Sequence, residues 1–265
     1  MIDHISISQI NTFSMCELQY YYRYIMGLKS PPKAALTIGS AVHKGTEKIY
    51  LDIKDTDRYL ASVAMDVARD HIAKDTETDW EGITPNQLKE EKGIAVDRAT
   101  KMVKAYSGSG YPDTVHQDDV EGVEVKCDKT LKSDGCNTPP RIIGFTDLIL
   151  KDRIVDFKTS GRSQSKATGG NVLQNGFYAY AFGKSQSEIH HMSCNAKGTS
   201  AKAVEFSVPM LPEETLLAMI KNFWYKVTEL EVSGNWLATG MTHQWACSFC
   251  GYGRTGKCPF ALKVD

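Results

Sequence analysis

Three charged side chains on two short apolar stretches carry the strongest chemical signal in this sequence. Asp147 lies in IIGFTDLIL, Asp156 and Lys158 lie in RIVDFK, and the polar pair Lys151-Asp152 separates the two stretches. Runs rich in Ile, Val, Leu and Phe around a short polar break predict a β-hairpin. Because side chains alternate across a strand, Asp156 and Lys158 share one face of the second strand.

The loop of this hairpin decides which side chain faces Asp147. With Lys151 and Asp152 as a two-residue loop, Asp147 lies opposite Asp156, and with the loop one residue later it lies opposite Lys158. In both registers two carboxylates and one ammonium converge. Close carboxylates repel, and Lys158 together with a divalent cation such as Mg²⁺ would neutralise them. Such a metal would activate water against a phosphodiester, and the alternative is a hairpin with solvated charges.

The composition is that of a globular protein without a membrane or secretory signal. The chain has 265 residues, of which 42% are hydrophobic and 24% charged, which suits one large domain or two small ones. No apolar run approaches the ~18 residues of a membrane span, and no basic region precedes an apolar core at the N-terminus. With a net charge of −1, any phosphate contact depends on a local basic patch. We expect an intracellular protein.

The stretch HQWACSFCGYGRTGKCPF near the C-terminus predicts a metal site. Cys247 and Cys250 have C-x-x-C spacing, and Cys258 follows them. Zinc and iron–sulfur clusters usually take four protein ligands. The fourth ligand is either His243, which would give a local zinc site, or Cys16 near the other end of the chain. The cysteines without a ligand turn around them are weaker candidates: Cys127, Cys136 and Cys194.

Two helices are predicted in the N-terminal part. The first spans 6–27, and its tyrosines either pack in the core or, beside Arg23, stack on single-stranded bases. The second spans 36–51 and places His43 and Glu47 on one face. His43 is then either a metal ligand or a packed histidine.

Segments on both sides of the hairpin add candidates. A strand over 119–127 would direct Glu124 towards the hairpin if the two are neighbours in the sheet. The polar loop after the hairpin contains Arg162, which suits a phosphate contact but equally fits a merely flexible loop.

A helix over 171–184 places Gln174 and Tyr178 on one face, since they are four residues apart. The remaining predicted elements are helical segments over 57–106, strands over 188–195 and 202–208, and a helix from Pro212 to Val232.

Six short motifs follow one another along the chain. They are S-x-S-x-I-N-T-F-x-x-C with Ser6, Ser8, Ile10, Asn11, Phe13 and Cys16, G-x-x-x-H with Gly39 and His43, G-x-x-D with Gly144 and Asp147, I-V-D-F-K-T with Asp156 and Lys158, Q-x-x-x-Y with Gln174 and Tyr178, and the C-terminal cysteine trio. Together they resemble the RecB-like branch of the PD-(D/E)XK nuclease superfamily. The resemblance is greatest to stand-alone phage exonucleases and CRISPR-associated RecB-like exonucleases, and it spans most of the chain.

The resemblance implies roles for the residues of the hairpin. His43, Asp147 and Asp156 would bind one catalytic Mg²⁺ or Mn²⁺, aided by the carbonyl of Phe157. Lys158 would position the attacking water. The family's D-x-K position is Asp-Phe-Lys here, which is within its pattern.

The resemblance also implies substrate contacts and an accessory acid. Gln174 and Tyr178 would contact the substrate phosphate, and Arg162 in the neighbouring loop is a further candidate for substrate binding. Glu124 matches the accessory acidic position, with Glu121 as the alternative.

Cys16, Cys247, Cys250 and Cys258 would, by the same resemblance, bind a 4Fe-4S cluster that ties the N-terminal helix to the C-terminal tail. The spacing from Cys250 to Cys258 is longer than the family's usual form. Zinc therefore stays open as the alternative.

The implied fold is α/β, a restriction-endonuclease-like core with a central mixed β-sheet flanked by helices. The predicted division is an N-terminal helical region over 1–115, the nuclease core over 116–235, and a metal-cluster tail over 236–265.

The implied function is a metal-dependent DNA exonuclease that hydrolyses single-stranded DNA or DNA ends. Its setting would be the cytoplasm of a prokaryotic or phage-infected cell, in recombination, repair or CRISPR adaptation, with a recombination or adaptation protein as partner. The sequence lacks a G-x-x-x-x-G-K-(S/T) motif, so we do not expect a whole helicase–nuclease. The rival hypothesis is a non-catalytic, zinc-stapled module that binds nucleic acid or protein, based on His243 with the cysteine trio and on the near-neutral charge.

Overall fold

The structure is a computed structural model in which the chain forms two compact units. Unit 1 comprises Met1–Ser30, Cys127–Gly144 and Pro212–Asp265, and unit 2 comprises Pro31–Lys126 and Phe145–Leu211. The described residues are 3–29, 32–78, 80, 84–131, 139–238, 247, 250–254 and 256–260.

The elements described before Val120 are helical, and strands and helices both occur after it. The helices are α1 (Ile7–Met15), α2 (Glu17–Tyr20), a π-helix (Tyr21–Ile25), α3 (Ala34–Thr56), α4 (Ala61–Ala73), α5 (Pro85–Ser107), α6 (Gly169–Phe182), α7 (Glu213–Ser233) and α8 (Gly251–Arg254), with 3-10 turns at Pro112–Thr114 and Gln117–Asp119. The strands are β1 (Val120–Thr130), β2 (Arg141–Leu150), β3 (Arg153–Ser160), β4 (Gln186–Cys194) and β5 (Ala201–Ser207).

The five strands form one mixed sheet in the order β1-β2-β3-β4-β5. The pairs β2–β3 and β4–β5 are antiparallel, whereas β3 and β4 are parallel. Parallel neighbours need a crossover, and α6 provides it between β3 and β4. The α/β class with a central mixed sheet and flanking helices is thereby confirmed.

The hairpin has the register with the two-residue loop. Leu148 pairs with Val155 and Ile149 with Ile154, so Lys151 and Asp152 form the turn. The next opposed positions along the two strands are Asp147 and Asp156. The alternative register, in which Asp147 faces Lys158, is wrong.

The core of unit 2 lies between the sheet and helices α3, α4 and α5. Phe157 of β3 is buried and stacks on Tyr50 of α3, while Tyr106 of α5 packs edge-on against it. Gly45 of α3 allows the close helix contact, because a Cβ there would lie 2.7 Å from Val103 and 3.0 Å from the Ala64 carbonyl. This packing fixes α3 against the strand that carries Asp156 and Lys158.

The continuous helix predicted over 6–27 is wrong at Cys16. Ser6 caps α1, but Cys16 has extended dihedrals of −164° and 117° and separates α1 from α2. Its N–H still bonds to Thr12 O at 2.9 Å, so α1 is closed while the chain changes direction. Gly27, with φ of 65°, ends the helical stretch as predicted. None of the described helices has the length and apolarity that crossing a bilayer requires.

Candidate active site

Helix α3 brings His43 to the carboxylates of the hairpin. Gly39 lies in the second turn of α3, where an added Cβ would lie only 3.0 Å from Oγ1 of Thr159 at the end of β3. A methyl group at this position would require the Thr159 side chain or the helix to shift. One turn later, His43 Nδ1 lies 3.5 Å from Asp147 Oδ1. The spacing G-x-x-x-H thus combines a close approach with a ligand on the same helix face.

Glu124 completes a group of potential metal ligands with His43 and Asp147. One ligand atom from each of these three residues lies within 4.8 Å of the others, and all three are partly exposed. Imidazole nitrogen and carboxylate oxygens are ligands that suit Mn²⁺, and carboxylates suit Mg²⁺. The donor set therefore fits a divalent cation.

The backbone of β1 is distorted at Glu124. Its φ is 52°, in the left-handed region that side chains other than glycine seldom adopt, inside a strand. Such strain often accompanies a side chain that is directed to a functional site. Glu121, the alternative accessory acid, instead forms an ion pair with Lys184 at 2.7 Å. Of the two, the structure brings Glu124 to the carboxylate cluster.

Asp147 is oriented by a backbone group of the neighbouring strand. The N–H of Phe157 donates to Asp147 Oδ2 at 2.7 Å, which leaves Oδ1 directed to His43. Phe157 is thus part of the site through its N–H, and the role predicted for its carbonyl stays a prediction.

Asp156 lies in a separate network with Lys158 and Gln174. The Lys158 ammonium donates to Asp156 Oδ1 at 3.0 Å and to Gln174 Oε1 at 3.2 Å, and Gln174 Nε2 donates to Asp156 Oδ1 at 2.9 Å. Asp156 Oδ2 lies 2.8 Å from the ammonium but makes no hydrogen bond of its own, although it is buried. Helix α6 thus positions the side chains of the D-x-K segment through Gln174.

The two hairpin carboxylates differ in acidity. Burial raises the pKa of Asp156 to about 6, the Lys158 ammonium opposes this rise, and the negative charge of Asp147 adds to it. Burial would also raise the pKa of Asp147, but His43 and the Phe157 N–H outweigh burial, and its pKa is lowered. Asp147 is therefore the carboxylate whose charge the protein stabilises.

The negative charge of Asp147 shifts the pKa of His43 and of Glu124. Burial would lower the pKa of His43, but the Asp147 carboxylate raises it overall. Burial and then the charge of Asp147 raise the pKa of Glu124. A cation between these groups would relieve both effects, since it favours ionised carboxylates and neutral imidazole.

These features coincide with a known family. A family model described as the PD-(D/E)XK nuclease superfamily matches residues 4–255. The chain belongs to the PD-(D/E)XK nuclease superfamily. Its placement in the RecB-like branch stays an interpretation of the motifs.

One solved structure shows the same fold as this PD-(D/E)XK nuclease. The crystal structure of "Putative exonuclease" from Eubacterium rectale superposes with a TM-score of 0.59 at 14% sequence identity, over 99% of this chain and 90% of that chain. SSO0001 is similar at 16% identity with a TM-score of 0.38, over 67% of this chain and 81% of that chain. No curated protein sequence shows significant similarity to this chain.

Two predicted substrate contacts differ in their surroundings. Tyr178 is buried on α6, one turn after Gln174. Arg162 is exposed in the loop after β3, and its backbone N–H and carbonyl are both hydrogen-bonded to Ser160 Oγ. The structure therefore ties the backbone of Arg162 to the end of β3 and leaves its side chain at the surface of this nuclease.

One cation near the site was missed by sequence reasoning. Lys44 follows His43 on α3 and pairs with Glu47 at 2.5 Å, one turn further on. The hydrogen bond with Glu47 raises the pKa of Lys44 despite partial burial, and the charges of Glu124 and Asp147 add to the rise. The i, i+3 spacing of Lys44 and Glu47 in the sequence could have predicted this ion pair.

Unit 1 contains the four predicted cluster cysteines around one small cavity. Cys16 lines it from the break between α1 and α2, together with Cys247, Cys250 and Cys258. Burial raises the pKa of Cys250 against two backbone N–H groups that lower it, and the charges of Cys16 and Cys258 add to the rise. His243, the alternative fourth ligand, and Cys136 lie outside the described residues. Cys127 and Cys194 are buried free thiols that do not line this cavity.

Proposed function

We propose that this PD-(D/E)XK protein is a metal-dependent exonuclease that hydrolyses single-stranded DNA or DNA ends. The observation that carries the proposal is the convergence of Asp147, Asp156 and Lys158 with His43 on one end of a mixed sheet. The similarity in fold to a structure named "Putative exonuclease" supports the exonuclease assignment.

The residues that would hold Mg²⁺ or Mn²⁺ are Asp147, Asp156 and His43, with Glu124 as a further carboxylate. When bound, the metal would lower the pKa of a coordinated water and neutralise charge on the phosphodiester. Asp147 fits the role of a ligand because its Oδ2 is held by the Phe157 N–H and its Oδ1 remains directed to His43. Asp156 supplies a buried Oδ2 whose ion-pair partner is the Lys158 ammonium at 2.8 Å.

Lys158 and Gln174 are proposed to act on the attacking water and the substrate phosphate. Asp156 and Gln174 hold the Lys158 ammonium by hydrogen bonds, so its position is set before substrate arrives. A preorganised cation beside the reacting phosphate stabilises charge that develops in the transition state. Lys158 would also orient the water through its third N–H donor.

The decisive experiment is cleavage of end-labelled single-stranded and double-stranded DNA with Mg²⁺, Mn²⁺ or EDTA. We expect metal-dependent products from the wild type, and a loss of at least about a hundredfold in Lys158→Ala, because removal of a transition-state donor typically costs this much. Lys104→Ala is the matched control, since Lys104 is an exposed lysine on α5, outside the loop that is a candidate for substrate binding. Labels at the 5′ and 3′ ends report polarity.

Two results would contradict this proposal. Full cleavage by both Lys158→Ala and Asp156→Ala, with the wild-type circular dichroism spectrum, would remove the assigned site. Cleavage of closed circular DNA, which has no ends, would show that the protein is an endonuclease and not an exonuclease.

We propose further that Cys16, Cys247, Cys250 and Cys258 hold a 4Fe-4S cluster, with Zn²⁺ as the alternative occupant. Thiolates are the ligands of both, and four of them satisfy either. The four cysteines line the same cavity although Cys16 is more than 200 residues away in sequence from the other three. A shared metal would connect α1 and α2 to the C-terminal segment within unit 1.

A further inference from the structure

A second group of potential metal ligands lies on β4 and β5. Glu188, His190 and Glu205 each offer one ligand atom, and these atoms lie within 4.8 Å of one another. His190 and Glu205 are directly opposed in the antiparallel pair, and Glu188 is two residues before His190 on the same strand face. Asp156 pairs with Ile189 in the parallel register, so this group is on the sheet face opposite to Asp156.

His190 is buried and has one ring nitrogen without a hydrogen bond. Its side chain is only 4% exposed, and Nε2 makes no hydrogen bond although it is buried. Nε2 points between the two carboxylates, 3.5 Å from Glu188 Oε2 and 3.7 Å from Glu205 Oε2. Hydrogen bonds between nitrogen and oxygen are usually about 2.7–3.2 Å long, so these separations are too long for good direct bonds.

A cation between these atoms accounts for the distances better than a proton does. Bonds from a metal to imidazole nitrogen and carboxylate oxygen are each about 2.1 Å, which at a tetrahedral angle places the two ligand atoms about 3.4 Å apart. The observed separations of 3.5 Å and 3.7 Å are close to this value. The arrangement therefore has room for an ion at its centre.

The other nitrogen of His190 is held in the manner of a metal ligand. Tyr106 Oη lies 2.6 Å from His190 Nδ1, and Tyr50 Oη lies 2.6 Å from Tyr106 Oη. A hydrogen on Nδ1 that is donated to Tyr106 leaves the lone pair on Nε2, towards the carboxylates. Outer hydrogen bonds of this kind fix the tautomer and the ring orientation of metal-binding histidines.

The charges around the group favour a cation. Arg153 donates to Glu188 Oε2 at 2.9 Å and also pairs with Asp152, so its charge is shared between two carboxylates. A carboxylate accepts several bonds, and Glu188 can bind Arg153 and a metal together. Glu205 is half exposed, which gives an ion and its water ligands access from solvent.

We propose that Glu188, His190 and Glu205 bind a divalent first-row transition-metal cation that joins β4 to the edge strand β5. One imidazole with two carboxylates suits ions such as Mn²⁺ or Zn²⁺, and the site has no thiolate. Because β5 is the last strand in the sheet order, the ion would bind a strand that, among the described strands, has β4 as its one neighbour. The proposal does not depend on nuclease activity.

Binding of Mn²⁺ tests the proposal, since thiolates have little preference for this ion. The background variant is His43→Gln with Asp147→Asn, which removes an imidazole and a carboxylate from the nuclease site. Free Mn²⁺ is followed by electron paramagnetic resonance during a titration of this variant. We expect one bound Mn²⁺ per chain, with nitrogen coupling from a directly bound imidazole.

Three substitutions in this background identify the ligands. Glu205→Gln should weaken Mn²⁺ binding by at least about tenfold, as loss of a charged ligand does, and His190→Gln should abolish the nitrogen coupling. Glu90→Gln is the matched control, because Glu90 is an exposed glutamate on α5 of the same unit. Glu205 is half exposed, so its substitution leaves the core intact and keeps the test valid if His190→Gln does not fold.

Two results would overturn the proposal. The background variant could bind no Mn²⁺ at millimolar concentration, which would mean that these three side chains do not form a metal site. Alternatively, Mn²⁺ could bind with the same affinity after Glu205→Gln, which would place the ion elsewhere.

Discussion

At the carboxylate pair, each acidic side chain is held by a different set of partners. Asp147 accepts a hydrogen bond from the Phe157 N–H and faces His43, whereas Asp156 is held by Lys158 and Gln174. The first set stabilises charge enough to overcome burial, and the second does not. The metal-free protein therefore has one carboxylate whose ionisation opposes folding, and this cost is typical of sites built to bind a cation.

Asp156→Asn should stabilise the metal-free protein at alkaline pH. The pKa of Asp156 is about 6 in the folded state against 3.8 as its ordinary value, so the folded state binds the proton more tightly. Asp156 thus contributes up to about 3 kcal/mol to the free energy of unfolding below pH ~4. This contribution is lost as the pH rises through ~6. Loss of the charge opposite Lys158 offsets part of the gain. Urea unfolding in EDTA should show Asp156→Asn more stable by about 1–3 kcal/mol at pH 8, with little difference at pH 4.5.

Asp118→Asn is the control for that measurement, because Asp118 is an exposed carboxylate in the turn before β1. Equal stability of Asp156→Asn and the wild type at both pH values would show that Asp156 ionises without cost. Mg²⁺ should reduce the difference in stability between Asp156→Asn and the wild type at pH 8, since the ion stabilises only the wild-type carboxylate pair.

Glu124→Gln and Glu121→Gln form a second matched pair at the residue scale. Both lose one negative charge on β1, but only Glu124 lies with His43 and Asp147, while Glu121 pairs with Lys184. We expect Glu124→Gln to raise the Mn²⁺ concentration for half-maximal cleavage by about 10–100-fold. The same dependence should be unchanged in Glu121→Gln. Equal metal dependence of the two variants would exclude Glu124 from the metal site.

At the scale of the elements, the packing of α3 against its neighbours determines how close His43 lies to the sheet. The close contacts at Gly39 and Gly45 are on this helix, whereas Gly93 on α5 has open space where a Cβ would be. The glycines of α3 are therefore needed for close packing. Gly93 on α5 only lowers the helix propensity of its segment. The same residue type predicts opposite effects of substitution.

Gly45→Ala should destabilise the protein, and Gly93→Ala should stabilise it. An added methyl at Gly45 meets Val103 at 2.7 Å and the Ala64 carbonyl at 3.0 Å, and overpacking of this kind costs about 1–3 kcal/mol. At Gly93 the methyl meets nothing, and alanine gains about 0.5–1 kcal/mol in a helix interior. Chemical unfolding measures both. A stabilising Gly45→Ala would mean that α3 and α5 are less closely packed than this structure indicates.

At the scale of the whole molecule, both compact units are assembled from distant stretches of chain. Unit 1 combines both chain ends with an internal segment. Leu18 of α2 donates its N–H to Leu237 O at 3.0 Å, and Lys226 of α7 pairs with Glu17. These contacts, like the cysteine cavity, close a loop of more than 200 residues. The division into regions 1–115, 116–235 and 236–265 stays a prediction.

Cys16→Ser should release the proposed cluster and loosen unit 1. Iron content and broad absorption near 400 nm should fall together, and limited proteolysis should cut near both chain ends. Cys194→Ser is the control, because Cys194 is a buried thiol outside the cysteine cavity. Stoichiometric zinc in a colourless wild-type protein would replace the cluster with the alternative metal. Unchanged metal content in Cys16→Ser would refute shared ligation.

The sequence by itself determined those features that depend on neighbouring residues. Alternation of apolar residues gave the hairpin and the shared face of Asp156 and Lys158, because strand geometry repeats every two residues. Helical spacing placed Gln174 and Tyr178 one turn apart on one helix, and C-x-x-C spacing predicted that Cys247 and Cys250 lie close together, as they do in the cysteine cavity. The chain's motifs were sufficient to predict the α/β fold and the superfamily that the family model confirms.

Only the tertiary structure decided which distant residues meet. It selected Glu124 over Glu121, interrupted the first helix at Cys16, and opposed His190 to Glu205 across two strands. Positive φ at Glu124 and the break at Cys16 run against local preference, so local sequence patterns do not reveal them. Strand order and register arise from the packing of the whole sheet against its helices. Contacts that cross between elements therefore become visible only when the chain is folded.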